Sequence, residues 1–204
     1  MARITVFVDG FNLYHSLVND KFPTLGKYLW LDVSKLVGFF INKQRHDVRV
    51  LYFTSLAEWS APKVGRHKVF IRALESTGVE TIYGKFKLVD KYCRPYKHHY
   101  QTYEEKRTDV NIAINLFQRA EKEYDQAVIV SGDSDLIPAV EAVRKAYPAK
   151  KVGLIIPING IAEELKSYCS WHSQITQKQL QDSQFPRTIQ ISSSESIACP
   201  DLWV

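Results

Sequence analysis

The chain has 204 residues, enough for one domain with a substantial core. Its composition is ordinarily globular, with 45% hydrophobic, 12% aromatic and 24% charged residues, and its net charge of +5 fits a polyanionic partner without requiring one. Three widely spaced cysteines, Cys93, Cys169 and Cys199, argue against a disulfide framework, and no apolar stretch is long enough to span a membrane. The first residues, Met1-Ala2-Arg3, run straight into a strand-like segment without a signal peptide, so the expected location is cytoplasmic.

Residues 3–8 are rich in Ile, Val and Phe and read as a strand buried on both faces. Residues 11–19 read as a short helix. Pro23 and Gly26 break the pattern, and Asp32-Val33-Ser34 opens a helix to about Asn42. Residues 47–54 form a second buried strand. Ala61-Pro62 starts a long helix through about Ser76, with Gly78 as its stop. Val79 to Val89 reads as a third strand interrupted by Gly84, followed by a polar, aromatic insertion over 90–107. Thr108 is placed to cap a helix running to about Glu123, with Val110, Ile112, Ala113, Leu116, Phe117 and Ala120 at helical spacing. Ala127 to Val130 is a fourth strand, Asp135 to Tyr147 a helix with Pro138 in its first turn, Val152 to Ile156 a fifth strand, and Gly160 to Tyr168 a helix. Trp171 and Trp203 read as packing residues. After Asp182 the chain turns polar, through Ser192-Ser193-Ser194-Glu195-Ser196. The expected organisation is one α/β domain over 1–182, with a parallel sheet covered by helices on both faces, and a polar tail over 183–204.

Asp9 and Asp133 each follow a buried strand, at the edge where open parallel sheets place their sites. Gly10 and Gly132 flank them and leave room for a ligand near the backbone. Asp135 lies two residues beyond Asp133, and Asp109 stands at a helix start. Singly, each is more often a turn residue or a helix cap. Together they would repel unless a hard cation sat among them. The combination therefore points to Mg²⁺ or Mn²⁺, with Asp9, Asp109, Asp133 and Asp135 as metal ligands. Asn12, three residues past Asp9, is a candidate to orient a water or a phosphate oxygen. The hydroxyls of Thr108 and Ser131 are candidates for the same work.

Three blocks carry a resemblance. Val8-Asp9-Gly10-Phe11-Asn12-Leu13, Glu105-Lys106-Arg107-Thr108-Asp109-Val110-Asn111-Ile112-Ala113 and Ser131-Gly132-Asp133-Ser134-Asp135-Leu136 resemble the signature blocks of NYN domains. These belong to the PIN-like nuclease superfamily, and the chain looks closest to its bacterial LabA-like branch. The resemblance covers roughly residues 3–180. It implies a three-layer α/β sandwich around a mainly parallel five-stranded sheet in the order 3-2-1-4-5. It also implies a metal-dependent ribonuclease site. Carried over by motif, Asp9, Asp109, Asp133 and Asp135 match the acidic positions, and Asn12 the polar partner of the first.

The segment from Asp90 to Tyr100 interleaves cations with rings, a composition suited to single-stranded RNA. Lys85, Lys91, Arg94, Lys97, Lys106 and Arg107, with Thr108 and Ser131, form the expected substrate surface. Cys93, His98 and His99 do not make four well-placed zinc ligands. The leading expectation is an endoribonuclease that hydrolyses RNA phosphodiester bonds with Mg²⁺ or Mn²⁺. Two others stand beside it. One is a non-catalytic RNA-binding or regulatory module. The other is an aspartate-nucleophile phosphatase, which Asp133-Ser134-Asp135 fits only superficially, because Asp9 is followed by Gly10 and Phe11. The RNA target, RNA against DNA, the number of metal ions and homo-oligomerisation stay open.

Overall fold

The structure, a computed structural model, describes residues 1–203. Strand β1 (Ala2–Asp9) forms because a run of β-branched and aromatic residues suits a strand covered on both sides. Its side chains alternate. Ile4, Val6 and Val8 enter one core, while Phe7 enters the other, stacked on Phe53 and edge-on to Tyr124. Two apolar cores therefore lie on opposite faces of one sheet.

The elements that follow are α1 (Gly10–Leu17), α2 (Val33–Val37), β2 (His46–Thr54), α3 (Ala61–Glu75) and β3 (Glu80–Tyr83). Then come β4 (Lys85–Cys93), β5 (His98–Lys106), α4 (Thr108–Ala120), β6 (Gln126–Val130) and α5 (Ile137–Ala146). The chain closes with β7 (Lys151–Ile156), α6 (Glu163–Tyr168), β8 (Trp171–Gln174), α7 (Gln177–Asp182), β9 (Thr188–Gln190) and β10 (Ser196–Ala198). The sheet has six strands in the order β3-β2-β1-β6-β7-β8, and every pairing in it is parallel. The expected five strands in the order 3-2-1-4-5 are thus corrected. An additional edge strand, β8, pairs with β7 from Gly153–Trp171 to Ile156–Gln174.

The third expected strand is also two elements. Gly84 ends β3, and β4 leaves the sheet to pair with β5 as a separate antiparallel hairpin. Gly84 donates its N–H to the Thr54 carbonyl at 2.7 Å. A Cβ there would lie 2.5 Å from the Thr108 hydroxyl and 2.6 Å from that of Ser55, so the hairpin base needs glycine for this approach. The expected insertion is therefore a paired ribbon.

The segment after Asp182 packs on the body. Ser183 accepts from the Asp32 amide, Phe185 sits against Trp30, and Ile197 is buried in the core on the β1 face that holds Val6 and Val8. The Trp203 ring meets Trp30 and Phe70.

Helix α3 lies against the C-terminal end of β2, where His67 Nε2 meets Thr54 Oγ1 at 3.2 Å. Burial pushes the His67 pKa down to about 4. In the unfolded chain the same ring titrates near 6.5. The unfolded chain therefore takes up the proton first as pH falls, and stability is lost between those two values. At ~1.4 kcal/mol per pH unit the loss is about 3 kcal/mol. His67→Gln should flatten the fall in unfolding free energy between pH 6.5 and pH 4, measured by denaturant titration without metal. Parallel curves for the two proteins would contradict this.

Candidate metal centre

The strand order reverses between β1 and β6, because β2 and β3 lie to one side of that pair and β7 and β8 to the other. Open α/β sheets bind ligands at such a reversal, beyond the carboxyl ends of the strands. Val8 pairs with Val130 there, so the two chains leave the sheet side by side at Asp9 and Ser131.

Asp9 caps α1. Its Oδ1 accepts the Asn12 amide at 3.0 Å and its Oδ2 accepts the Ser131 hydroxyl at 2.9 Å. Ser131, fully buried, accepts the Asp133 amide at 3.1 Å in turn. Asn12 Oδ1 accepts the Gly132 amide at 2.9 Å. These bonds lock the turn after β1 to the turn after β6. Ser131 is fully buried and its hydroxyl is engaged in this lock. Asn12 is committed through its oxygen in the same way and keeps only its amide nitrogen for another partner.

Asp109 arrives from α4. The residue before that helix, Arg107, holds a left-handed conformation at φ 79°. Thr108 is the first helical residue and not the expected cap. It is buried, and its hydroxyl donates to Glu105. Asp9, Asp109 and Asp133 come together: one carboxylate oxygen of each lies within 4.8 Å of the others. Asp135 is the exception. It stands exposed in a 3-10 turn, donates its amide to Asp133 Oδ1 at 2.9 Å, and lies outside the triad. Its charge still acts on Asp109.

The electrostatics follow from this crowding. Asp9 is 4% exposed, and burial raises its pKa to about 6, with Asp109 and Asp133 adding to the rise against the hydrogen bonds that lower it. Burial raises Asp109 as well, and then Asp133 and Asp135 do. A further carboxylate, Glu105, feels the group. Burial pushes Glu105 up to about 7, and the charges of Asp9 and Asp109 push in the same direction. Glu105 also accepts from Ser55 at 3.3 Å. Sequence reasoning passed over it. The pairing of β4 with β5 puts Glu105 opposite Phe86 on the ring-bearing face of the ribbon. Three hard oxygen donors at one point, with burial and mutual repulsion unfavourable to their charge, suit a divalent cation.

The hairpin sorts the interleaved residues by face. Lys85, Lys87 and Lys91 on β4 share one face with Lys106 on β5, while Phe86 and Tyr92 share the other with Tyr103 and His99. Lys91 and Lys106 both pair with Glu104, at 2.5 Å and 2.8 Å. Arg94 and Lys97 sit in the turn at the tip. Eight residues of strand put that tip about 25 Å from the hairpin base. The expected substrate residues thus divide into a basal group and a distant one.

A family model described as NYN domain matches residues 3–176. The chain belongs to the NYN domain family. NYN domains have a PIN-like nuclease fold, and the acidic triad of this one is compatible with a divalent metal. Two curated relatives are more distant. The chain is 25% identical to 6-hydroxy-3-succinoylpyridine 3-monooxygenase HspA of Pseudomonas putida over 230 residues, covering 92% of this chain and 71% of that protein. It is 24% identical to Low amplitude and bright protein LabA of Synechococcus elongatus over 169 residues, covering 81% and 80%. Among solved structures, a Vibrio parahaemolyticus protein of unknown function superposes with a TM-score of 0.58 at 17% identity, over 86% of this chain and 94% of that one. That likeness is one of fold. Among the described residues of the NYN domain, no helix is long and apolar enough to cross a membrane.

Proposed function

We propose that this NYN domain is an endoribonuclease that hydrolyses RNA phosphodiester bonds with Mg²⁺ or Mn²⁺. The observation that carries the reading is the convergence of Asp9, Asp109 and Asp133 at the strand-order reversal. These three carboxylates would hold the cation. When bound, the cation supplies a lowered pKa for an attacking water and neutralises charge on the phosphodiester. The chain's own residues do the positioning. Ser131 fixes the Asp9 carboxylate, Asn12 ties the two turns, and Asp133 is oriented by its bond to the Asp135 amide. Asp135 adds negative charge beside the site. The lysines of the hairpin base offer phosphate contacts on the way in.

The test is cleavage of a circular RNA, which has no ends for an exonuclease. The purified protein should linearise it with Mn²⁺ or Mg²⁺ and leave it intact with EDTA. Metal binding without cleavage would assign the site to a non-catalytic clamp instead.

A second reading comes from the name of the Pseudomonas relative, which acts on a substituted pyridine. The aromatic cleft with Gly10 in its wall is compatible with an enzyme of small aromatic acids. The triad has no assigned work in that reading, so the nuclease stands first.

The split hairpin gives a graded expectation for RNA. Lys85→Ala with Lys106→Ala should weaken binding of a short single strand and reduce its salt slope by up to about 1.4, at ~0.7 per phosphate contact. Arg94→Ala with Lys97→Ala should affect only RNA long enough to reach the tip. Filter binding across salt concentrations reads both. Equal effects of the two pairs on a short oligonucleotide would refute the division.

A further inference from the structure

A cleft of about 250 Å³ has Gly10, the residue after Asp9, in its wall. Pockets for drug-sized ligands run about 300–1,000 Å³, so this one suits a single ring system. Its sides are aromatic, built by Phe11, Tyr14, Trp59, Phe70 and Phe86. Trp59 stacks on Tyr103 at 3.7 Å with 4° between the planes, and meets Phe86 edge-on at 4.7 Å. Phe86 meets Phe11 edge-on at 5.4 Å. These contacts hold the rings as fixed walls. Tyr14 and Trp59 are nonetheless 40% and 41% exposed, so they offer ring surface to a ligand.

Lys63, Arg66 and His67 line the same cleft from one face of α3, at spacings of three and four residues. Neither Lys63 nor Arg66 joins an ion pair among the described residues. The His67 ring is neutral at physiological pH and has one nitrogen at Thr54, which leaves the other for a polar edge. The cleft thus fits a planar aromatic ring carrying a negative group. A nucleotide of an RNA strand and a free aromatic acid share that chemistry. Continuity with the triad favours the nucleotide: Gly10 and Phe11, the two residues after Asp9, line the cleft, and Tyr52 packs against Gly10 there.

We propose that this cleft seats one nucleobase of the RNA beside the cleaved phosphodiester, stacked among Trp59, Phe86 and Phe11, with a flanking phosphate on Lys63 and Arg66. Stacking on rings is tolerant of sequence, so it positions the strand without reading it closely. The proposal rests on the nuclease reading of the triad for its substrate.

The test uses the whole chain in EDTA, so that binding is read apart from cleavage. The four nucleoside 5′-monophosphates, ribose 5-phosphate and nicotinate are titrated by calorimetry. At least one nucleotide should bind about tenfold more tightly than ribose 5-phosphate or nicotinate. Trp59→Ala should weaken it about tenfold. Lys63→Ala with Arg66→Ala, a surface change that keeps the rings, should weaken it about fivefold and flatten its salt dependence. No nucleotide binding, or unchanged binding in the double variant, overturns the proposal. Nicotinate binding as tightly as the nucleotides also overturns it and gives the cleft to a small aromatic acid. Nucleotide binding with no RNA cleavage under metal would instead sink the nuclease reading and leave the base site standing.

Discussion

Asp9→Asn is expected to abolish RNA cleavage while raising the thermal stability of the metal-free protein. Cleavage should fall by at least about a thousandfold, or ~4 kcal/mol of barrier, because the most buried of the three ligands loses its charge. The stability gain has a separate origin. The Asp9 pKa rises from 3.8 to about 6 on folding, through burial first and then its neighbours. A carboxylate raised in this way favours the folded state below its unfolded pKa, and that contribution disappears as pH rises through about 6. The charged form therefore costs about 3 kcal/mol at pH 7.5. Asparagine removes that cost and still caps α1. It also lets the Ser131 hydroxyl accept where it now donates. The melting temperature in EDTA should rise by about 6–12 °C at pH 7.5, at about 2–4 °C per kcal/mol for a chain of this length, and change little at pH 4. Undiminished cleavage, or a lower melting temperature at pH 7.5, would remove Asp9 from the site.

Gly10→Ala should damage fold and chemistry together. A Cβ at that position would stand 2.6 Å from the Phe53 carbonyl oxygen and 2.6 Å from the Tyr52 ring. Phe53 is backbone in the middle of the sheet and Tyr52 is buried, so neither neighbour can give way cheaply. Helix α1 would have to shift, at a cost of about 1–3 kcal/mol. The shift would carry the Asn12 amide away from Asp9 and the Asn12 oxygen away from Gly132. Misplacement on the scale of 1 Å costs about a hundredfold in rate. Denaturant unfolding and cleavage rate together check this. A variant with full stability and full rate would show that the close approach is not needed.

The strong signals in the sequence were those set by local physics. Apolar runs at β1, β2, β6 and β7 are buried on both faces and announce themselves. The carboxylates after β1 and β6 follow from strand ends, and their meeting follows from the strand order. Weaker features depend on tertiary contacts. β8 is four residues of Trp, His, Ser and Gln, an edge strand whose pattern lacks an apolar run. The split at Gly84 reads as an interruption in one strand, because nothing local says that the chain leaves the sheet. Helix α2 stops at Val37 in place of the expected Asn42, where successive turns at Gly38, Phe39 and Phe40 take over. Asp135, two residues past Asp133, stands exposed in a 3-10 turn and falls outside the group formed by Asp9, Asp109 and Asp133. Glu105 carries no local signal, since it sits in a charged stretch whose faces appear only once β4 and β5 are paired. The aromatic cleft draws on α1, β2, α3 and the hairpin, and no single segment carries its pattern.

The most direct measurement is Mn²⁺ anomalous density in crystals of the wild-type protein and of Asp133→Asn. A peak on the order of 2 Å from carboxylate oxygens of Asp9, Asp109 and Asp133 is expected in the wild type, and its loss in the variant. A peak elsewhere with none at the triad, or an unchanged peak in the variant, would contradict the metal centre.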